Sequence, residues 1–245
     1  GATPAWPHSI VTALFPASAS QAEIESGLAA LIPASELRFA ALADRDWQAD
    51  WQAPLKPQRF GERLWVLPDN APEPGDKSVF VRLQPGLAFG TGEHPTTAMC
   101  LRWLEERQLA GLQVLDYGCG TALLAIAALA LGATEATAVD IDPQALDAAR
   151  ANAENNHCES RLRVAAVADV APGEQYDVLV ANILSGTLIE LAPRLATHLR
   201  SGAGVALTGV LAQQADLVIA AWQRYAELTI SEQVDDWVLL SGYTH

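Results

Sequence analysis

The sequence predicts an α/β protein built on a Rossmann-like sheet that is mostly parallel. From Leu112 onward, short apolar runs alternate with segments of helical periodicity, as they do when parallel strands are joined by crossover helices. The run Gln113–Tyr117 ends in the glycine-rich turn Gly118-Cys119-Gly120, and a later apolar run ends in the carboxylate Asp140. In a Rossmann-like sheet this order holds an adenosine-bearing cofactor at the carboxyl edge of the strands.

The predicted alternation continues to the end of the sequence. Its strands and helices are, in order, Gln113–Tyr117, Leu123–Leu131, Ala136–Asp140, Pro143–Asn155, Arg161–Ala166, Tyr176–Ala181, Gly186–Leu199, Ala203–Thr208 and Ala212–Tyr225. Two further strand-like runs, Leu228–Val234 and Trp237–Gly242, are separated by two residues, which is too few for a crossover helix. They predict a C-terminal hairpin that adds antiparallel strands to the sheet.

The segments before this unit predict a small N-terminal α+β domain over residues 1–56. The runs Ser9–Phe15 and Glu36–Leu42 are candidate strands, and Ser20–Leu31 has helical spacing after a serine cap. Residues 57–84 are predicted to form a linker and accessory strands. Residues 85–245 are predicted to form the cofactor-binding domain, which begins with a glycine-rich loop and a helix from Pro95 to about Gln108.

Composition restricts the classes of function. The 245 residues are 50% hydrophobic, which is enough for a sizeable core, and the net charge of −14 disfavours direct nucleic-acid binding while favouring a basic partner. Cys100, Cys119 and Cys158 are scattered, as are the five histidines, so no metal site and a reducing cytoplasmic location are expected. The sequence also predicts no signal peptide, no membrane span and no need for more than a monomer.

The residues around the turn indicate which cofactor is bound. Gly118 and Gly120 match the first two glycines of a dinucleotide fingerprint, but Leu123 replaces the third. Asp116, at the end of the strand, would oppose a phosphate and would suit a cation. Asp140 is placed to accept hydrogen bonds from ribose hydroxyls. S-adenosylmethionine, which carries an ammonium and a sulfonium but no phosphate, is therefore predicted, with Cys119 also in the binding turn.

Four motifs together resemble the family of bacterial ribosomal protein L11 methyltransferases. They are the loop Pro85–Thr97 with its Phe89-Gly90-Thr91-Gly92 core, Asp116–Gly120, Asp140–Pro143 and Val180–Leu184. The resemblance covers roughly residue 44 to the C-terminus. It implies a class I methyltransferase that uses S-adenosylmethionine to trimethylate amino groups of a ribosomal protein, at a lysine side chain or the N-terminal amine. It also implies a small N-terminal domain that recognises this protein.

The resemblance also implies roles for particular residues. Thr97, Gly118, Asp140 and Asn182 would contact the cofactor, and Asn182 would also position the amine, with no dedicated base. Candidates on the substrate side are Phe89, Gly90 and Thr91. The segment Asn182-Ile183-Leu184-Ser185 lacks the prolines and aromatic platform of enzymes that methylate a base or a planar amide, which favours an amine.

Several alternatives stay open from the sequence. Asn182 is also interpretable as a helix cap, Thr97 as an ordinary first-turn residue, and Asp116 as a cap of the glycine turn through its backbone N–H groups. The acceptor is either a ribosomal protein, a lysine of another protein or a small molecule. A binding protein without catalysis is a further alternative, supported only by the unusual Glu93 and Ala122.

Overall fold

The computed structural model describes residues 11–16, 18–33, 36–41, 56–75, 78–83, 92 and 94–245. The chain divides into two compact units, Gly1–Trp47 and Gln48–His245. The domain boundaries expected from the sequence, 1–56, 57–84 and 85–245, stay predictions.

The first unit contains helix α1, Gln21–Leu28, which is shorter than predicted. Within the described residues of this unit there is no strand, so the strands expected at Ser9–Phe15 and Glu36–Leu42 are wrong for residues 11–15 and 36–41. Residue composition predicts a strand only where a partner ladder and a buried face exist. Here Val11 and Leu14 remain 85% and 76% exposed.

The second unit is built on a seven-stranded sheet in the order β6-β5-β4-β7-β8-β10-β9. The strands are β4 Gln113–Tyr117, β5 Glu135–Asp140, β6 Leu162–Ala166, β7 Tyr176–Asn182, β8 Leu199–Leu211, β9 Ala226–Val234 and β10 Trp237–Thr244. Strands β4 to β8 are parallel, and β10 pairs antiparallel with both β8 and β9. The predicted fold class, a mostly parallel sheet with a C-terminal antiparallel hairpin, is confirmed.

Helices cover both faces of this sheet. They are α2 Pro95–Glu105, α3 Leu123–Ala130, α4 Pro143–Asn155, α5 Ser185–Ala196 and α6 Ala215–Trp222. Two buried apolar clusters result, one containing residues of α2, α3 and α4 and the other residues of α5 and α6. Helix α3 is apolar on all sides because it is sandwiched, and its residues from Leu123 to Leu129 are all buried.

A second, three-stranded sheet precedes the main one. It consists of β1 Gln58–Phe60, β2 Leu64–Leu67 and β3 Val79–Arg82, with β2 antiparallel to β1 and parallel to β3. Its apolar side chains join the cluster that contains α2 and α3. These three strands lie within residues 58–82, and they pack on helices α2 and α3 of the main sheet.

Candidate active site

The sequence-predicted polar residues meet at the carboxyl edge of three neighbouring strands. Asp116 lies near the end of β4, and Asp140 and Asn182 are the last residues of β5 and β7. Because β4 pairs in parallel with both β5 and β7, these strand ends are adjacent. Thr97 joins them from the first turn of α2. This edge is the ligand-binding position of open α/β sheets.

The glycine turn after β4 folds back on β5. Gly118 and Gly120 have φ angles of +75° and +51°, which glycine adopts without strain. The N–H groups of Gly118 and Cys119 both donate to the carbonyl of Val139, at 2.8 and 3.0 Å. These two backbone donors are therefore already used within the protein.

The Asp140 carboxylate is fixed by three backbone N–H groups. Its Oδ2 accepts from Gly120 at 2.9 Å, and its Oδ1 accepts from Ile141 and Asp142 at 2.8 and 3.0 Å. A carboxylate has about four acceptor positions, so one remains for a hydroxyl of a ligand. The N–H of Gly120 is the third donor of the turn, and in a dinucleotide fold it would face the pyrophosphate. Here it is already bonded to Asp140. The turn fits a nucleoside without phosphate.

Asp116 lies beneath this turn and is 1% exposed. Its Oδ2 accepts a hydrogen bond from the N–H of Ala125 at 3.0 Å, in the first turn of α3. Burial raises the pKa of Asp116 to about 7, although the Ala125 bond opposes this, and the nearby charge of Asp140 raises it further. Asp116 therefore caps helix α3 and not the glycine turn, whose N–H groups bond to Val139 and Asp140 instead, so the capping alternative from the sequence named the wrong element. A carboxylate at this helix N-terminus also disfavours phosphate there.

Asn182 and Thr97 contact each other directly. The Nδ2 of Asn182 donates to the Oγ1 of Thr97 at 3.1 Å, and Thr97 is 2% exposed. Helix α2 is placed by His94, whose Nδ1 accepts from the N–H of Thr96 at 3.4 Å and whose ring packs edge-on against Trp237. With its Nδ2 engaged, the side chain of Asn182, the last residue of β7, keeps its Oδ1 as its acceptor.

Two further positions singled out in the sequence, Cys119 and Ala122, have clear surroundings. Cys119 is 8% exposed, and burial raises the pKa of its thiol, so its contribution to the turn is backbone and packing. Ala122 has a φ of +59° and is fully buried, so its methyl group lies in the core and not in an open site. Phe89, Gly90, Thr91 and Glu93 lie outside the described residues, and their roles stay predictions.

Sequence reasoning missed two apolar residues at this edge. Ile141 follows Asp140 and is 84% exposed, and Leu184 lies two residues after Asn182 and is 72% exposed. Exposed aliphatic side chains flanking a polar site are suited to contact a ligand or a substrate. The available signal was an apolar residue one or two positions beyond a strand whose last residue is polar.

Other parts of the described structure offer less. A cleft of about 490 Å³ lies at the opposite, amino edge of the sheet, but its arginines Arg161, Arg163 and Arg200 already bind acceptors in the protein. Among the described residues, no group of three or more histidine, cysteine or acidic side chains has the geometry of a metal site. Nor does any described helix have the length and hydropathy needed to cross a membrane.

Comparison with known proteins identifies the family. The model of the ribosomal protein L11 methyltransferase family matches residues 1–245. The chain belongs to this family. Its ribosomal protein L11 methyltransferase relatives from Hahella chejuensis and Pseudomonas aeruginosa PAO1 are each 46% identical, over 243 and 245 residues, covering 99% of this chain and 83% of the relative. The resemblance inferred from the four motifs is therefore confirmed.

Solved structures agree with this family assignment. The ribosomal protein L11 methylase from Lactobacillus delbrueckii subsp. bulgaricus superposes with a TM-score of 0.69 at 29% identity, covering 77% of this chain and 99% of that one. A methyltransferase from Pyrococcus furiosus shares the fold, with a TM-score of 0.55 at 17% identity over 67% of this chain and 88% of that one. The methyltransferase class and its cofactor S-adenosylmethionine, both predicted from the sequence, are confirmed.

Proposed function

We propose that this chain transfers methyl groups from S-adenosylmethionine to amino groups of ribosomal protein L11. The family match over the whole chain supports the substrate, because the relatives carry that activity in their names. The observation that carries the amine as acceptor is the Asn182–Thr97 pair at the sheet edge. The side-chain acceptor that this pair leaves is the amide oxygen of Asn182, at the end of the strand next to β4, and the following segment has no proline or aromatic platform for a flat acceptor.

The cofactor supplies an activated methyl group on a positively charged sulfur. The lone pair of the amine nitrogen forms the new N–C bond, the C–S bond breaks with its electrons going to sulfur, and the displaced proton passes from the amine to water. A free lysine has a pKa of about 10.4 and is therefore mostly protonated near neutral pH. Because only the neutral amine has a free lone pair, it must lose a proton before it attacks. Asn182 Oδ1 can accept a hydrogen bond from that amine and orient its lone pair, which makes alignment the main contribution of this chain.

The proposal is tested by incubating the purified protein with recombinant ribosomal protein L11 and S-adenosylmethionine. Mass spectrometry of the intact substrate and of its peptides should show one or more added methyl groups on a lysine side chain or the N-terminal amine. Three methyl groups on one amine would establish both reaction and substrate. If L11 stays unmodified while another protein or a small amine in an extract is methylated, the enzyme class holds and the proposed substrate is wrong.

We predict that Asn182→Ala lowers kcat by about 10²-fold, because the amine loses its positioning acceptor. Steady-state rates with L11 measure the effect, and calorimetry with S-adenosylhomocysteine shows whether cofactor binding survives. Asp147→Ala is the control, since this side chain is exposed on α4 and pairs with the neighbouring Arg150 at the surface. A kcat of Asn182→Ala equal to that of the control would contradict the role of Asn182.

The setting of the reaction follows from the same proposal. Cys100, Cys119 and Cys158 are free and buried, which accords with the reducing cytoplasm expected for an enzyme of ribosomal proteins. We further propose that a monomer suffices and that L11 is bound without direct nucleic-acid contact. Sedimentation of the enzyme alone, and methylation of L11 with and without added RNA, check these two points.

A further inference from the structure

Gly209 lies on β8 directly beside the segment that follows Asn182. Strand β8 pairs with β7 so that Asn182 lies opposite Thr208, and the N–H of Ile183 donates to the carbonyl of Thr208 at 3.2 Å. The next residue, Gly209, has a φ of +80°. On its other side, β8 pairs with β10 and the register shifts between Val238 and Leu240, so that β8 carries one residue more than its partner at this bulge.

The absence of a side chain at Gly209 lets the Ile183 backbone approach closely. A Cβ at position 209 would lie 2.4 Å from the carbonyl oxygen of Ile183, 2.8 Å from its carbonyl carbon and 3.1 Å from its nitrogen. All three atoms are backbone, so rotation of a side chain cannot relieve the contact. Restoring ordinary van der Waals separation of at least 3.4 Å would need a displacement of about 1 Å.

Ile183 also touches the cofactor turn. A Cβ at Gly118 would lie 2.3 Å from the Cγ2 of Ile183, so this side chain packs directly over Gly118. Ile183 is thus held between two glycines, Gly209 on β8 and Gly118 in the turn after β4. Its backbone rests on the β8 bulge, and its side chain rests on the turn after β4. The residue that precedes it, Asn182, is in turn bonded to Thr97.

We propose that Gly209 is a positioning residue for methyl transfer, acting through Ile183 to fix Asn182 relative to the cofactor turn. The inference rests on the proposed function in assigning the amine to Asn182. Close-packed protein interiors transmit small shifts, because few voids are available to absorb them. A methyl group at position 209 therefore moves Ile183, and with it both Asn182 and the packing over Gly118. The bulge serves as the fixed support from which acceptor and cofactor are aligned.

The test compares two alanine substitutions on the same strand. Gly209→Ala is expected to lower kcat by about 100-fold, the cost of a misplacement of about 1 Å, while the KM for L11 changes less than about threefold. Its Kd for S-adenosylhomocysteine is expected to rise about fivefold, through the contact of Ile183 with Gly118. Gly202→Ala is the matched control. Gly202 has a φ of +76°, so alanine there carries the same backbone strain, but nothing lies within 4 Å of the added Cβ.

The outcomes separate the two proposals. If wild-type protein methylates L11 and Gly209→Ala, folded by circular dichroism, matches Gly202→Ala in kcat and in Kd, the positioning role is overturned while the proposed function stands. If wild-type protein leaves L11 unmethylated, the proposed function fails, and the Kd for S-adenosylhomocysteine alone decides the role of Gly209. A fall in kcat and a rise in KM for L11 by the same factor would indicate general damage and would also overturn it.

A second variant covers the case in which Gly209→Ala does not fold. Ile183→Ala removes the side chain that packs on Gly118 without adding any atom near the backbone. The inference expects about a tenfold fall in kcat and about a fivefold rise in the Kd for S-adenosylhomocysteine. Wild-type values of both quantities in a folded Ile183→Ala protein would overturn the inference.

Discussion

The protonation of the Asp116 carboxyl group depends on its burial in the fold. Burial raises its pKa from 3.8 to about 7, so near neutral pH a large part of it is protonated in the unliganded protein. A positively charged cofactor at the adjacent turn favours the ionised form and expels the proton. We therefore predict that the Kd for S-adenosylmethionine falls as the pH rises towards 7, by up to about tenfold per pH unit, and levels off above it. Calorimetry over this pH range measures the effect.

The control is Asp116→Asn, which keeps the shape of the side chain and removes the titration. Its Kd should be nearly independent of pH, and an equal pH dependence in both proteins would exclude Asp116 as its source.

The raised pKa of Asp116 also affects the stability of the folded protein. Between about pH 4 and 7 the folded state binds more protons than the unfolded state, so this group reduces stability as the pH rises through that window. Urea unfolding should show that loss in wild-type protein and not in Asp116→Asn.

At the scale of elements, Asn156, which follows helix α4, joins the accessory sheet to that helix. Its Oδ1 accepts from the N–H of Arg82 on β3, and its Nδ2 donates to the Arg82 carbonyl, each at 2.7 Å. The side-chain amide thus acts as a ladder partner for the edge strand. We predict that Asn156→Ala lowers the free energy of unfolding by about 2 kcal/mol, because backbone groups of β3 lose their partners. Urea denaturation measures this loss.

Hydrogen exchange locates the effect of the Asn156 substitution. The amides of residues 79–82 should exchange faster in Asn156→Ala, whereas those of the central strand β4 should keep their relative protection. Gln144→Ala, an exposed side chain near the start of the preceding helix α4, is the matched control and should change stability by less than about 0.5 kcal/mol. Equal protection of β3 in both variants would mean that apolar packing alone attaches the accessory sheet.

The sequence predicts those elements whose signal is local. The glycine turn, the strand that ends in Asp140 and the hairpin of β9 and β10 depend on turn chemistry and short spacings, and all three are found. Strand β1 has only three residues and is defined by its pairing with β2. The strands expected in residues 11–15 and 36–41 fail for the converse reason, since their composition suits a strand but no described strand pairs with them.

At the site, the sequence predicts which residues lie close together. It predicts less well the groups that each of these residues contacts. Asp116, Asp140 and Asn182 all follow from their positions near strand ends. The contact of Asp116 with Ala125 joins β4 to the helix that follows it, and the close approach of Gly209 to Ile183 joins β8 to the segment after β7. A glycine inside a strand pattern indicates a bulge or a close approach. Its partner is visible only once the strand order is known.

At the scale of the whole molecule, the net charge of −14 affects encounter with the substrate. Twenty-nine acidic residues against fifteen basic ones produce a field that attracts a basic ribosomal protein. Salt shortens the range of this attraction, since the Debye length falls from about 30 Å at 0.01 M to about 3 Å at 1 M. We predict that kcat/KM for L11 decreases by about tenfold or more over this range of salt concentrations.

Steady-state kinetics at several salt concentrations check this prediction, with the KM for S-adenosylmethionine as the internal control. The cofactor carries one net positive charge, so its KM should change much less than that of a basic protein. If the net charge speeds the encounter of enzyme and L11, added viscogen should lower kcat/KM at low salt and have little effect at high salt. The reason is that only electrostatically steered association approaches the diffusion limit. A kcat/KM for L11 that is independent of salt would mean that short-range contacts alone select the substrate, and that the acidic surface serves another purpose, such as solubility.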